Sequence, residues 1–132
     1  MINCLTNVVI GCLGFQIFHL LITMKYTIVI LISTTEKWLR LSRPERNKFT
    51  EQVLDPILVK YKESLDVRMF DAESFNARNT DFIVIETTDL NQYYFFWEEI
   101  RDSKVYTEPY FIVNEIVVGK EDGFKEFEKT IK

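Results

Sequence analysis

Leu65-Asp66-Val67-Arg68-Met69-Phe70-Asp71, followed by Ala72-Glu73-Ser74-Phe75-Asn76-Ala77-Arg78-Asn79-Thr80 and then Asp81-Phe82-Ile83-Val84-Ile85-Glu86-Thr87-Thr88, is the stretch that decides the fold. Leu65 to Asp71 alternates apolar and polar residues and Asp81 to Thr88 holds an apolar run, which predicts two strands. The connection has neither glycine nor proline and carries charges at Asp71, Glu73, Arg78 and Asp81, so it reads as an ordered, specific loop. Two strands joined this directly form a hairpin in the middle of the chain.

Working outward, Tyr26 to Ser33 is continuously apolar and rich in Val, Ile and Tyr, as expected of a central strand. Ser42-Arg43-Pro44-Glu45 places a serine N-cap before proline at the first helical position and glutamate at the third. The helix that follows has Phe49, Val53 and Ile57 on one stripe, and Asp55-Pro56 predicts a kink or a restart before Tyr61. Downstream, Asp89 caps a helix with Leu90, Tyr93, Tyr94, Trp97 and Ile100 on one face, widened by Phe95 and Phe96. Tyr110 to Val118 reads as the fourth strand, with Pro109 tolerated before it and Gly119 ending it. In the charged tail, Phe124 and Phe127 are expected to dock a short last helix. The order βαββαβ predicts an α+β, ferredoxin-like four-stranded antiparallel sheet with helices on one face.

Such a layer leaves its second sheet face uncovered. Alternation puts Arg68 with Phe70, and Phe82, Val84 and Glu86 together; on the fourth strand the sets are Tyr110, Ile112, Asn114, Ile116 and Phe111, Val113, Glu115, Val117. With Arg68, Glu86 and Glu115 on the open face, it is the surface that a homodimer of barrel type would bury, two sheets meeting across a ligand-sized space.

All 16 basic and 20 acidic residues lie after Met24, whereas Met1 to Thr23 holds none of them, together with both cysteines and the single histidine. This segment lacks the basic start and small-residue cleavage site of a secretory signal, and Val9-Ile10-Gly11-Cys12 is a weak lipoprotein-like match. It is long enough to help span a membrane, but a helix running on through Tyr26 to Ile32 would consume the first strand. The expectation is therefore that translation starts at Met24, giving one cytoplasmic domain over residues 24–132, with a membrane anchor through residues 1–23 as the alternative.

The net charge of -4 and pI near 5.1, with both signs interspersed, give no basic field for nucleic acid. After Met24 there is no His or Cys, which excludes a Cys nucleophile, a His base, an axial haem His and the usual zinc ligands from the domain. No GxGxxG, Walker, GxSxG or HExxH motif occurs, and no cofactor is expected. Asp71, Glu73 and Asp81 could hold a hard cation or supply a general base if burial raised one pKa. The commoner arrangement is that Arg78 pairs with Asp71 or Asp81 and staples the loop, and with no recognised ligand spacing no metal site is assigned. Arg68 with Glu86 is read first as a cross-strand pair. Tyr93, Phe96 and Trp97 are read as core, whereas Trp38, between the first strand and the capped helix, stands where a pocket mouth would be.

Thr34-Thr35 before Trp38-Leu39, Pro44-Glu45-Arg46 with Phe49, Pro56, Phe70-Asp71-Ala72-Glu73 with Phe75, Ala77, Arg78 and Asp81, Tyr94, Arg101-Asp102 and Tyr110-Phe111 together resemble the landmarks of the darcynin family of small bacterial proteins. The resemblance covers nearly all of Met24 to Phe124 and implies a dimeric α+β barrel architecture; it supplies no reaction. Two functions follow as expectations. One is a homodimer that binds a small hydrophobic or aromatic ligand, or is structural without catalysis, with Trp38, Arg68, Phe70, Glu73, Arg78, Asp81 and Glu115 as candidate ligand contacts. The other is a cofactor-independent enzyme of monooxygenase or isomerase type, with Asp71, Glu86 or Tyr94 as proton acceptor or donor.

Overall fold

Every second residue of Tyr26–Thr34 turns toward the helices, and Ile28 and Ile30 on that side are wholly shielded from solvent, with Ile32 nearly so. This strand, β1, is the centre of the computed structural model, which describes residues 25–131. The apolar N-terminal segment discussed above lies outside the described residues. Among the described residues no helix is long and apolar enough to cross a membrane.

The elements follow the order expected from the sequence: β1, β2 (Asp66–Asp71), β3 (Asp81–Thr87) and β4 (Phe111–Gly119) form one antiparallel sheet of order β2-β3-β1-β4. Helices α1 (Glu36–Leu39), α2 (Arg43–Phe49) and α3 (Asp55–Tyr61) connect β1 to β2, and α4 (Leu90–Asp102) with α5 (Lys104–Thr107) connects β3 to β4. A last helix, α6, spans Gly123–Thr130. The fold is the four-stranded ferredoxin-like α+β layer.

The cap signals work as their chemistry requires. The Ser42 side chain accepts from the Glu45 amide while the Glu45 carboxylate accepts from the Ser42 amide, closing a capping box that lowers the Glu45 pKa. Asp89 accepts from the amides of Asn91 and Gln92. The short helices α1 and α5 were not expected, although Thr35 and Ser103 cap them through the amides of Trp38 and Val105. Four residues are too few for a periodic pattern to show.

At Pro56 the helix restarts, one of the two outcomes expected from Asp55-Pro56. Thr50–Leu54 is a π-helical segment, the Asp55 amide donates to the Thr50 carbonyl five residues back, and α3 restarts with Pro56 in its first turn. A proline has no N–H for the usual bond four residues back, and the wider turn absorbs that loss.

The core joins Ile28, Ile30, Ile32 and Ile85 of the sheet to Phe49, Tyr61, Phe96, Ile100 and Val105 of the helices. Phe95, expected to widen the buried face of α4, is half exposed. The expected docking of the tail is also corrected: Phe124 and Phe127 on α6 are 61% and 63% exposed. The Lys120–Glu126 pair (2.7 Å) ties this helix to the turn that precedes it.

On the open face the register joins Arg68, Val84, Val29 and Val117 in one row across the sheet and Phe70, Phe82, Leu31 and Glu115 in the next. Glu86 faces the same way, opposite Thr27 and Asp66, so Arg68, Glu86 and Glu115 share this face. The simple alternation expected for β4 fails, because the β1–β4 register shifts between Leu31 and Ile32. Phe111 and Val113 turn toward the helices while Glu115 and Val117 turn away, with Asn114 as the extra residue of the bulge.

Candidate functional site

Between the sheet and its helices lies a cavity of about 170 Å³. Ile32, Val67, Met69, Ile83 and Val113 form its floor; Leu54, Leu58, Phe96, Trp97, Ile100 and Val105 form its roof and walls. Leu54 ends the π-helical segment and Leu58 follows one turn on, so the irregularity before Pro56 shapes the roof. Trp97 turns its one polar atom away, Nε1 donating to the Tyr106 hydroxyl at 3.0 Å, and so presents an apolar surface. Among the described residues, the only ionisable side chains that line the cavity are Asp71 and Asp81.

Those two carboxylates stand directly opposite each other at the end of the β2–β3 ladder, next to Ile32 of β1. Glu73 joins them, with oxygens of the three residues within 4.8 Å of one another. Burial holds the Asp81 carboxyl above the usual range, the neighbouring charges of Glu73 and Asp71 add to this, and the Thr80 hydroxyl, donating at 2.6 Å, partly opposes it.

The loop from Ala72 to Thr80 is fixed by polar contacts that leave the acids in place. The Ala72 amide donates to the Thr80 carbonyl (2.8 Å) and the Thr80 amide to the Ile32 carbonyl (3.0 Å). Asn76 accepts from the amides of Arg78 and Asn79. Asn114, the bulge residue of β4, donates to buried Asn79 (2.8 Å) and to Ser33 (2.7 Å), and Ser33 donates to the Arg78 carbonyl (2.7 Å). Arg78 thus enters through its backbone. The expected staple is corrected: among the described residues the Arg78 side chain forms no ion pair with Asp71, Glu73 or Asp81.

The other residues singled out from the sequence are dispersed. Trp38 does not line the cavity; its ring packs on Phe49, Tyr110 and Phe111 at 5.9, 5.4 and 5.1 Å, beneath the Arg46 guanidinium. Arg46 also donates to the carbonyls of Trp38 and Leu39, so this cluster joins α1 to α2. Tyr94 is 58% exposed on the outer side of α4, away from the cavity. Glu86 is on the opposite side of the sheet from the Asp71–Asp81 pair, where it meets Lys25 at 3.0 Å and Arg68 at 3.7 Å; the Lys25 contact lowers its pKa. Phe70 stacks on Phe82 at 4.7 Å on that same open face. Sequence reasoning therefore found Asp71, Glu73 and Asp81 together, but read the apolar walls only as core.

Asp81→Asn is expected to raise the melting temperature near neutral pH. An acid whose folded pKa lies above its unfolded value binds more protons folded than unfolded between the two values, so stability falls as pH rises through that window. The window opens at the ordinary value of 3.8 and extends upward, and below it the contribution vanishes. Thermal unfolding of both proteins from pH 3 to 8 should show an advantage for Asp81→Asn that shrinks toward pH 3; a uniform loss would mean that the Asp81 charge stabilises the loop.

Comparison with known proteins places this arrangement in context. The model of the Darcynin family, a domain of unknown function, matches residues 19–129. Darcynin 1 of Acinetobacter baumannii is 46% identical over 88 residues, covering 67% of this chain and 97% of that protein. Darcynin of Chromobacterium violaceum is 39% identical over 78 residues, covering 59% of this chain and 98% of that protein. Among solved structures, a heme-binding protein from Thermus thermophilus superposes with a TM-score of 0.68 at 17% identity, over 80% of this chain and 44% of that one. Chlorite dismutase from Candidatus Nitrospira defluvii in complex with imidazole gives a TM-score of 0.65 at 12% identity, over 82% of this chain and 47% of that one. The chain spans less than half of the length of these solved chains, and the likeness is one of fold.

Proposed function

We propose that this chain, which belongs to the darcynin family, binds a small, predominantly apolar molecule in the cavity between its sheet and helices and works as a homodimer joined through the open sheet face. The observation that carries the reading is the cavity: folded interiors are close-packed, and an apolar space of about 170 Å³ beneath two carboxylates is not what packing alone produces. Its size suits one ring, since a dry apolar cavity of about 150 Å³ takes benzene. Haem, the group named for one structural neighbour, does not suit this donor set. Among the described residues the cavity walls hold no His, Cys or Tyr, and Met69 with the two aspartates is a poor substitute for the usual axial ligands.

Toluene is the probe that tests the reading. It is expected to raise the melting temperature in a concentration-dependent manner, and a ligand at about 100 times its Kd stabilises by about 2.7 kcal/mol. Val113→Phe should fill the space from the floor and abolish that response while the protein stays folded. A wild-type protein indifferent to toluene would sink the proposal.

A second reading rests on the raised Asp81 pKa. A carboxyl whose pKa burial raises, set at the end of an apolar cavity, is placed to exchange a proton with a bound ligand, which is the chemistry of a cofactor-independent isomerase or monooxygenase. In that case Asp71 and Asp81 act together, because Glu86 and Tyr94 lie elsewhere.

A further inference from the structure

We propose that the molecule taken by the cavity carries a cationic amine, its apolar body enclosed by the walls and its ammonium held between Asp71 and Asp81. This rests on the cavity reading above and specifies the ligand's chemistry.

Like charges placed directly opposite in an antiparallel pair destabilise it, and the Asp71–Asp81 pair is such a placement. Asp71 and Glu73 are exposed and Asp81 is half-buried, yet the backbone leaves the groups little room to swing apart. Here the loop is pinned at Ile32, Ser33, Thr34 and Asn114 by hydrogen bonds of 2.7–3.0 Å, and Glu73 adds a third carboxylate from within it. Among the described residues no Lys or Arg pairs with any of the three acids, although all nine ion pairs found elsewhere satisfy other side chains. The fold thus brings three carboxylates together, and among the described residues no cation is paired with them.

The cavity behind this pair separates the site from a simple acidic cluster. Ile32, Ile83, Phe96, Ile100 and Val113 give nothing for a hydrated ion to bond with. An anion would meet repulsion at the only polar end. A neutral apolar molecule would leave both carboxylates unrelieved. A primary ammonium supplies three donors to acceptor-only groups, and the bonds it makes are charge-assisted.

Calorimetric titration with benzylamine, toluene, benzoate and calcium chloride separates the possibilities, using the wild-type chain and the Asp71→Asn/Asp81→Asn double variant. The expected order in the wild type is benzylamine tighter than toluene by at least about tenfold, with no binding of benzoate. The double variant is expected to keep toluene binding and lose the preference for the amine; its folding is checked by the toluene response itself. If toluene binds as tightly as benzylamine, the amine inference is overturned while the cavity reading stands. If neither binds, the cavity reading falls with it. If calcium alone binds at low micromolar concentration and blocks benzylamine, the acids form a metal site and the inference is wrong.

Discussion

Replacing Ile30 with alanine is expected to lower unfolding stability by about 2–5 kcal/mol. Ile30 is 0% exposed at the middle of the central strand, opposite Ile83 of β3 and Ile116 of β4, and its side chain is covered by the helices. Truncation removes apolar contact and leaves a void that surrounding isoleucines are too constrained to fill. Because small domains have only about 5–15 kcal/mol in total, the variant should lose a large part of its cooperative transition. Denaturant titration measures it: the midpoint should drop with little change in slope. Leu31→Ala, one residue along, is the control. Its side chain points to the open face, so in a dissociated chain the loss should be much smaller. Equal losses at both positions in monomeric protein would contradict the assignment of faces.

The second large effect is expected at the open face itself. Val29→Asp places a charge in the row of Val84, Val29 and Val117, with Phe70, Phe82 and Leu31 beside it. In a lone chain this position is already partly exposed, and the cost to folding should be modest. In a two-fold dimer built on this face the charge enters twice, once from each copy, and has no cation opposite it within the row except Arg68 at the edge. Dimer affinity should fall by at least about a hundredfold, the scale of a centrally placed hot spot lost from each side. Sedimentation velocity of the two proteins across micromolar concentrations decides it. A wild-type protein that remains monomeric and soluble at these concentrations would remove the homodimer from the functional reading.

The strands were legible because β-branched residues, alternation and a proline-free hairpin loop all pointed the same way, and the capped starts at Ser42 and Asp89 fixed where the two main helices begin. Helix α1, helix α5 and the π-helical segment were not legible, since each depends on backbone hydrogen bonding over fewer than two turns. The β4 bulge escaped for a related reason: a strict period of two assigned Asn114 to a face, whereas its amide is used to tie the strand to Asn79 and Ser33. Within the candidate site, three acids in eleven residues were plain in the sequence. Their freedom from Arg78 was not, because the arginine side chain's direction depends on how Asn76 and Ser33 hold its backbone. The cavity walls carry no local signal at all; Leu54, Leu58 and Val113 look like any other core residues until the elements are assembled.

The π-helical turn at Thr50–Leu54 has an evolutionary implication. It contains one residue more than a regular turn would need, and removing one residue from a helix rotates everything beyond it by about 100°. Leu54 and Leu58 would then leave the roof and other side chains would replace them. A single insertion or deletion at this turn would therefore exchange the side chains that roof the cavity without exchanging any residue of the sheet.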